Sequence, residues 1–172
     1  MQTLRVRRLG DADADAYFEL RREALVEAPL ALTASPGSDL FASADDVREY
    51  LRRENGSVIF GAFTPTLDGS VGLLRPKHRK SWHKLTLWGM YVRAAARRHG
   101  VAAALLESAI VHARSLPDVS WIQLAVGMPD AQRLYERFGF TVWGTEPDAL
   151  RHGEVSIAEH HMALRIQHEQ EK

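Results

Sequence analysis

MYVRAAARRHGVAAALLESAI, Met90 to Ile110, holds the transition on which the reading of this chain turns. An apolar segment ends at Val92. Three basic side chains, Arg97, Arg98 and His99, then meet Gly100, and an alanine- and leucine-rich run begins at Val101. The run predicts a helix whose first turn exposes unpaired backbone N–H groups and carries a partial positive charge. Gly100 has no Cβ, and Ala102 and Ala103 are small, so a bulky anion can approach this backbone closely. Arg97 and Arg98 can add charge-assisted hydrogen bonds, and together these features make a cradle for a pyrophosphate. A solvated helix entrance accounts for the same residues. The stretch is not a G-x-x-x-x-G-K-(S/T) phosphate loop, and it holds one of the three glycines of a dinucleotide fingerprint.

Outward from this stretch, strand and helix patterns alternate. Upstream, TLRVRRL (Thr3–Leu9) alternates as a strand, and Asp13–Ala28 reads as a helix with acids in its first turn. A second helix opens at Ser43 or Ala44 and runs to Asn55, stopped by Gly56. Strands follow at Ser57–Thr64 and Gly69–Pro76, around a turn at Pro65–Gly69, and at His83–Val92. Downstream, the helix Val101–Leu116 ends at Pro117, and Ser120–Val126 reads as a buried strand. Pro129–Phe138 is a helix with proline in its first turn and Gly139 beyond its end. Phe140–Glu146 and Val155–Ile166 complete the set. Strand, helix, strand, helix, strand from Leu85 to Trp143 requires crossovers, so part of the sheet is parallel. The expected fold is α/β (α+β): a mixed, partly parallel sheet of about seven strands flanked by about four helices, in a single domain over residues 1–172.

Composition narrows the function. Apolar residues make up 45% and charged residues 26% of the 172, as in a globular protein. Lys+Arg and Asp+Glu are both 22, so no bulk charge draws the chain to nucleic acid, and none is expected as a partner. The one dense basic patch, Arg75 to Lys84, reads as a solvated loop between two strands, with an acidic or nucleic-acid partner as the rival. The chain has no cysteine, which excludes disulfides, thiolate metal sites and a cysteine nucleophile and fits a reducing compartment. No apolar run approaches about 18 residues and no signal-peptide core opens the chain, so a cytoplasmic protein without membrane contact is expected. His160 and His161 are neighbours on a strand and point to opposite faces, so no metal is expected.

Two motifs carry a resemblance. Arg97-Arg98-His99-Gly100-Val101-Ala102, after a strand ending Met90-Tyr91-Val92, resembles the acetyl-coenzyme A signature (R/Q)-x-x-G-x-(G/A) of the GNAT superfamily of N-acetyltransferases. One β-α unit later, Ala131-Gln132-Arg133-Leu134-Tyr135-Glu136-Arg137-Phe138-Gly139-Phe140 resembles the family pattern A-x-x-L-Y-x-x-x-G-F. The family's usual asparagine three residues before that alanine is here Met128, which puts one polar contact to the cofactor in question.

The resemblance implies a GNAT-like fold and acetyl-CoA as cosubstrate. It implies cofactor contacts from Met90, Tyr91, Val92, Arg97, Arg98, His99, Gly100, Val101, Ala102 and Ala103. By position, the backbone of Met90 and Val92 would pair with the pantetheine amides, and the Met90 N–H would face the thioester carbonyl as an oxyanion donor. Tyr135 matches the tyrosine that protonates the leaving thiolate, although a half-buried tyrosine packed with Leu134 and Phe138 fits the same pattern. An amine would attack the thioester directly in a ternary complex. The base that strips the amine is open: the family's strand glutamate falls at Thr86, and His83, Glu54, Glu146 or a water chain remain. The acceptor, a small-molecule or peptide amine, would be shaped by residues 17–55 and 146–161, with Trp82, Trp88 and Trp143 as possible aromatic lining. A catalytically silent acyl-CoA sensor on the same fold is the alternative, and a monomer or homodimer is expected.

Overall fold

The computed structural model describes residues 3–168. The elements are β1 (Arg5–Arg8), α1 (Ala14–Glu27), α2 (Ala44–Leu51), β2 (Val58–Phe63), β3 (Leu67–Leu74), β4 (Lys84–Val92), α3 (Val101–Arg114), β5 (Trp121–Val126), α4 (Pro129–Arg137), β6 (Thr141–His152) and β7 (Val155–Arg165). All seven strands join one sheet in the order β1-β2-β3-β4-β5-β7-β6. The β4–β5 pair is parallel and the other neighbouring pairs are antiparallel. No helix among the described residues is long and apolar enough to cross a membrane.

The sheet divides two cores. On one face α3 buries Val101, Leu105, Leu106 and Ile110, and α4 buries Leu134 and Tyr135, against Leu85, Leu87, Ile122 and Leu124 of the central strands. Each such aliphatic side chain contributes about 1.5–3 kcal/mol on burial. On the other face α1 and α2 bury Tyr17, Leu20, Val47 and Tyr50 with Phe41, Ile59 and Tyr91. Helix starts follow local chemistry. Ser43 and Asp46 form a reciprocal capping box at α2, with Asp46 N–H to Ser43 Oγ at 3.2 Å and Ser43 N–H to Asp46 Oδ2 at 2.8 Å. Pro129 occupies the first turn of α4.

Several boundaries differ from the sequence expectation by a residue or two, and three differ for a visible local reason. α2 stops at Leu51 rather than Asn55, and Arg52 turns to pair with Asp11. The turn after β2 is tighter than expected, with Thr64 N–H bonded to the Thr66 carbonyl, so β3 begins at Leu67. β6 runs on to His152 instead of ending at Glu146. Pro147 would break an inner strand, but β6 is an edge strand, and a register irregularity between Glu146 and Leu150 absorbs the proline.

Candidate active site

The parallel pairing of β4 and β5 is short. Lys84, Leu85 and Thr86 oppose Trp121, Ile122 and Gln123, and the pairing then stops. Gln123 Nε2 donates to Thr86 Oγ1 at 3.2 Å across the last paired rung. Beyond it β4 stays with β3 while Leu124–Val126 stay with β7, so the sheet opens at the C-terminal ends of its two parallel strands. That is the place where ligands bind in open α/β sheets.

A bulge accounts for the opening. Trp88 pairs with Gly72 and Tyr91 with Ser70, so Gly89 and Met90 together oppose Val71. Gly89 sits at φ +63°, a left-handed conformation that glycine adopts at little cost. The extra residue shifts the alternation of side chains. Leu85 and Leu87 face α3 before the bulge, Met90 and Val92 face it after, and Trp88 and Tyr91 turn to the α1–α2 side. Gly72 makes room for Trp88: a Cβ at position 72 would stand 2.4 Å from the indole.

The gap is a crevice of about 80 Å³. Leu87, Trp88, Gly89 and Met90 form one wall, Leu124 to Met128 form the other, and Ala31, Ala131 and Tyr135 close it. An extended chain laid here would meet the β4 backbone as another strand would. Tyr135 is 5% exposed, its ring centroid lies 5.7 Å from that of Phe140, and burial alone pushes its hydroxyl well above the ordinary tyrosine range.

At the far end of β4, a 3-10 turn over Ala94–Ala96 leads to the N-terminus of α3. Gly100 caps that helix at φ +77°, with no side-chain cap on its first N–H groups. A Cβ on Gly100 would meet nothing within 4 Å among the described residues, which leave the space before the helix open. Arg98 is also left-handed, at φ +65°, a strain of order 1 kcal/mol that recurs at ligand-binding turns. Arg98 and His99 are exposed, and Val101, Ala102 and Ala103 present the free first turn. Arg97 is turned back on the strand: its Nε donates to the Val92 carbonyl at 2.9 Å and its guanidinium lies 5.8 Å from the Tyr91 ring centre. The residues here fit a polyanionic cofactor head, with unpaired N–H groups and the exposed Arg98 at the mouth and Arg97 held behind it on the strand.

The candidate bases scatter. His83 lies at the opposite end of β4, where its carbonyl accepts from Ser120 and Trp121. Glu54 lines a separate groove with Arg7, Arg8 and Arg52. Glu146 accepts from His161 Nε2 at 3.1 Å, and His161 pairs in register with Ala125 of the crevice wall. Beside them burial and the Glu146 charge raise the Glu159 carboxyl above its usual range, a residue to which no sequence motif pointed. His160 is held by Thr145 at 2.9 Å, and no group of three or more metal-ligating side chains gathers among the described residues. Of the three tryptophans, Trp88 lines the crevice, Trp82 stacks with Arg75 and Arg79 in the basic loop, and Trp143 is 66% exposed beside His161.

The sequence pattern of the Acetyltransferase (GNAT) family matches residues 18–140. No curated protein matches the sequence. Among solved structures, a GNAT-family acetyltransferase from Streptococcus pneumoniae superposes with a TM-score of 0.87 at 19% identity, over 96% of this chain and 100% of its own. The structure of yncA from Salmonella typhimurium with its cofactor acetyl-CoA gives 0.81 at 19% identity, over 95% of this chain and 94% of its own. A GCN5-related N-acetyltransferase from Kribbella flavida gives 0.76 at 26% identity, over 94% and 97%.

Proposed function

The chain belongs to the GNAT family of acetyltransferases, and from this premise we propose that it transfers the acetyl group of acetyl-CoA to a primary amine by direct attack in a ternary complex. The observation that carries the reading is the crevice where β4 and β5 part, with Tyr135 in its wall and the uncapped N-terminus of α3 at the end of β4. The cofactor supplies an activated acetyl thioester. Val101, Ala102 and Ala103 offer backbone N–H groups to its pyrophosphate, with Gly100 leaving the approach clear and Arg97, Arg98 and His99 at the rim. Met90, Tyr91 and Val92 would offer strand backbone to its pantetheine arm, and the Met90 N–H would serve as an oxyanion donor to the thioester carbonyl, a contact of about 3 kcal/mol.

Tyr135 donates a hydrogen bond to the departing sulfur. Its raised pKa keeps the phenol protonated, so the donor is present throughout the neutral range. The amine arrives largely protonated if it resembles lysine, near pKa 10.4. Of the candidate bases, the pair Glu146–His161 is the one that the sheet register brings beside the crevice, and we assign it as the proton acceptor, acting through water. The test is amine-dependent release of free CoA thiol from acetyl-CoA across a panel of small amines, amino acids and peptides. Tight acetyl-CoA binding without turnover on any amine would leave an acyl-CoA sensor instead.

A further inference from the structure

The crevice opens through the sheet to both faces. Met90, Ala131 and Tyr135 stand on the α3–α4 side, whereas Trp88, Gly89 and Ala31 stand toward α1 and the segment after it. Arg21 of α1 does not line the crevice itself but lies against Gly89 of its wall. It is a buried cation, its side chain 8% exposed, and Asp39 opposite it is 4% exposed. Asp39 takes the guanidinium by one edge, with Nε at 3.1 Å and Nη2 at 2.7 Å. Among the described residues this leaves three of the five N–H donors of a guanidinium without a protein partner. The free edge points to the bulge: Nη1 lies 3.4 Å from where a Cβ on Gly89 would stand, and the guanidinium carbon lies 5.4 Å from the Trp88 ring centre.

The unused edge is not sealed off, since it is not among the fully enclosed polar atoms left without a partner, so its donors are open to an acceptor that reaches Gly89. The planar fork matches a carboxylate, which takes two parallel N–H bonds. Asp39 acts as a positioning residue. It fixes the plane of the fork, offsets the cost of burying the cation, and turns the unused edge toward Gly89. We propose that Arg21 binds the carboxylate of a free amino acid and that this chain acetylates the amine of such an acceptor. The inference rests on the transferase reading above and narrows its acceptor. In an α-amino acid the nitrogen and the carboxylate share one carbon. An acid seated at Gly89 therefore holds its amine beside Met90, the neighbouring residue, where the thioester is proposed to lie. A protein N-terminus has this carboxyl tied up as an amide, and a lysine side chain has none.

The test uses the full chain with acetyl-CoA and measures thiol release with the twenty L-amino acids, their carboxamides and a set of short peptides amidated at the C-terminus. Loss of charge-assisted hydrogen bonds of this kind costs on the order of ten- to a hundredfold. The best free acid is therefore expected to exceed its own carboxamide by at least about tenfold in kcat/KM. The double variant Arg21→Gln with Asp39→Asn removes both buried charges together. It is expected to bring the acid-to-amide ratio near one while the acetyl-CoA Kd stays unchanged, a pattern that mere loss of packing would not give. Carboxamides or peptides turned over as well as free acids in the wild type would overturn the proposal, whether or not the variant folds. A ratio that survives in the folded double variant would overturn the assignment to Arg21. Absence of turnover with every amine, alongside intact acetyl-CoA binding, would instead overturn the transferase reading beneath it.

Discussion

Tyr135→Phe removes one oxygen from the crevice wall, and its effects on rate and on stability are expected to separate. The ring is buried and packs on Phe140, contacts that phenylalanine keeps. Burial raises the hydroxyl pKa, and among the described residues that oxygen makes no hydrogen bond for the substitution to break. The stability change should stay within about 1 kcal/mol, a Tm shift of roughly 2–4 °C for a chain of this size. The rate effect is larger. An ordinary tyrosine and a thiol differ by about 1.5 pKa units, or roughly 2 kcal/mol, against full proton transfer. Burial raises the phenol further and widens that gap. A hydrogen bond to the leaving sulfur is what remains, and its loss should lower kcat by about ten- to a thousandfold, or about 1.4–4 kcal/mol. Steady-state kinetics with an acceptor from the amine panel gives kcat, calorimetry gives the acetyl-CoA Kd, and a melting curve provides the control. Because the raised pKa holds the proton on past pH 10, the wild type should show no loss of this donor up to that pH. A phenylalanine variant that turns over at the wild-type rate would refute the assignment and leave Tyr135 as a core residue.

Gly100→Glu puts a carboxylate at the mouth of α3 and should abolish detectable acetyl-CoA binding. The left-handed φ at Gly100 adds about 1–2 kcal/mol of strain, so Gly100→Ala, with the same strain and no charge, should lose stability equally but keep most of the affinity by calorimetry. Glu146→Gln should lower kcat by roughly ten- to a hundredfold near pH 7 and less near pH 10, where solvent itself deprotonates the amine; a pH–rate profile reads this. Asp13 accepts from both nitrogens of the Arg7 fork at 2.7 Å and from Gly10 N–H at 2.9 Å, and these bonds hold its carboxyl below the usual range. The folded pKa lies under the unfolded value near 3.9, so this stabilisation is present above pH 4 and disappears as the pH falls through the folded pKa. Asp13→Asn should therefore cost about 1–2 kcal/mol in urea melts at pH 7, and the cost should shrink steadily as the pH is lowered below the unfolded value near 3.9.

The sequence made the architecture legible because its punctuation is local. Pro129 starts α4, Gly139 at φ +91° follows its end, and Ser43 with Asp46 marks the start of α2. The mixed sheet followed from the alternation of elements around Met90 to Ile110. β6 was cut short at Pro147 because edge position, which makes a proline harmless, is a property of the whole sheet. The uncapped start of α3, the proposed phosphate end of the site, was legible for the same local reason, since Arg97 to Ala102 adjoin one another. The rest of the crevice was not. Gly89 inside a strand was the available signal for a bulge, but which way the bulge opens depends on how far β5 stays paired. Arg21 comes to the site across the α1 packing interface, and Glu159 meets Glu146 through the β6–β7 register, so neither carries a pattern along the chain.

The decisive measurement is a crystal structure of the protein with acetyl-CoA. The pantetheine arm is expected between β4 and β5, its amides on the backbone of Met90 and Val92, the pyrophosphate on the N–H groups of Val101 to Ala103, and the sulfur within hydrogen-bond reach of the Tyr135 hydroxyl. Cofactor density away from the crevice, or in it with the sulfur remote from Tyr135 and Met90, would contradict that placement.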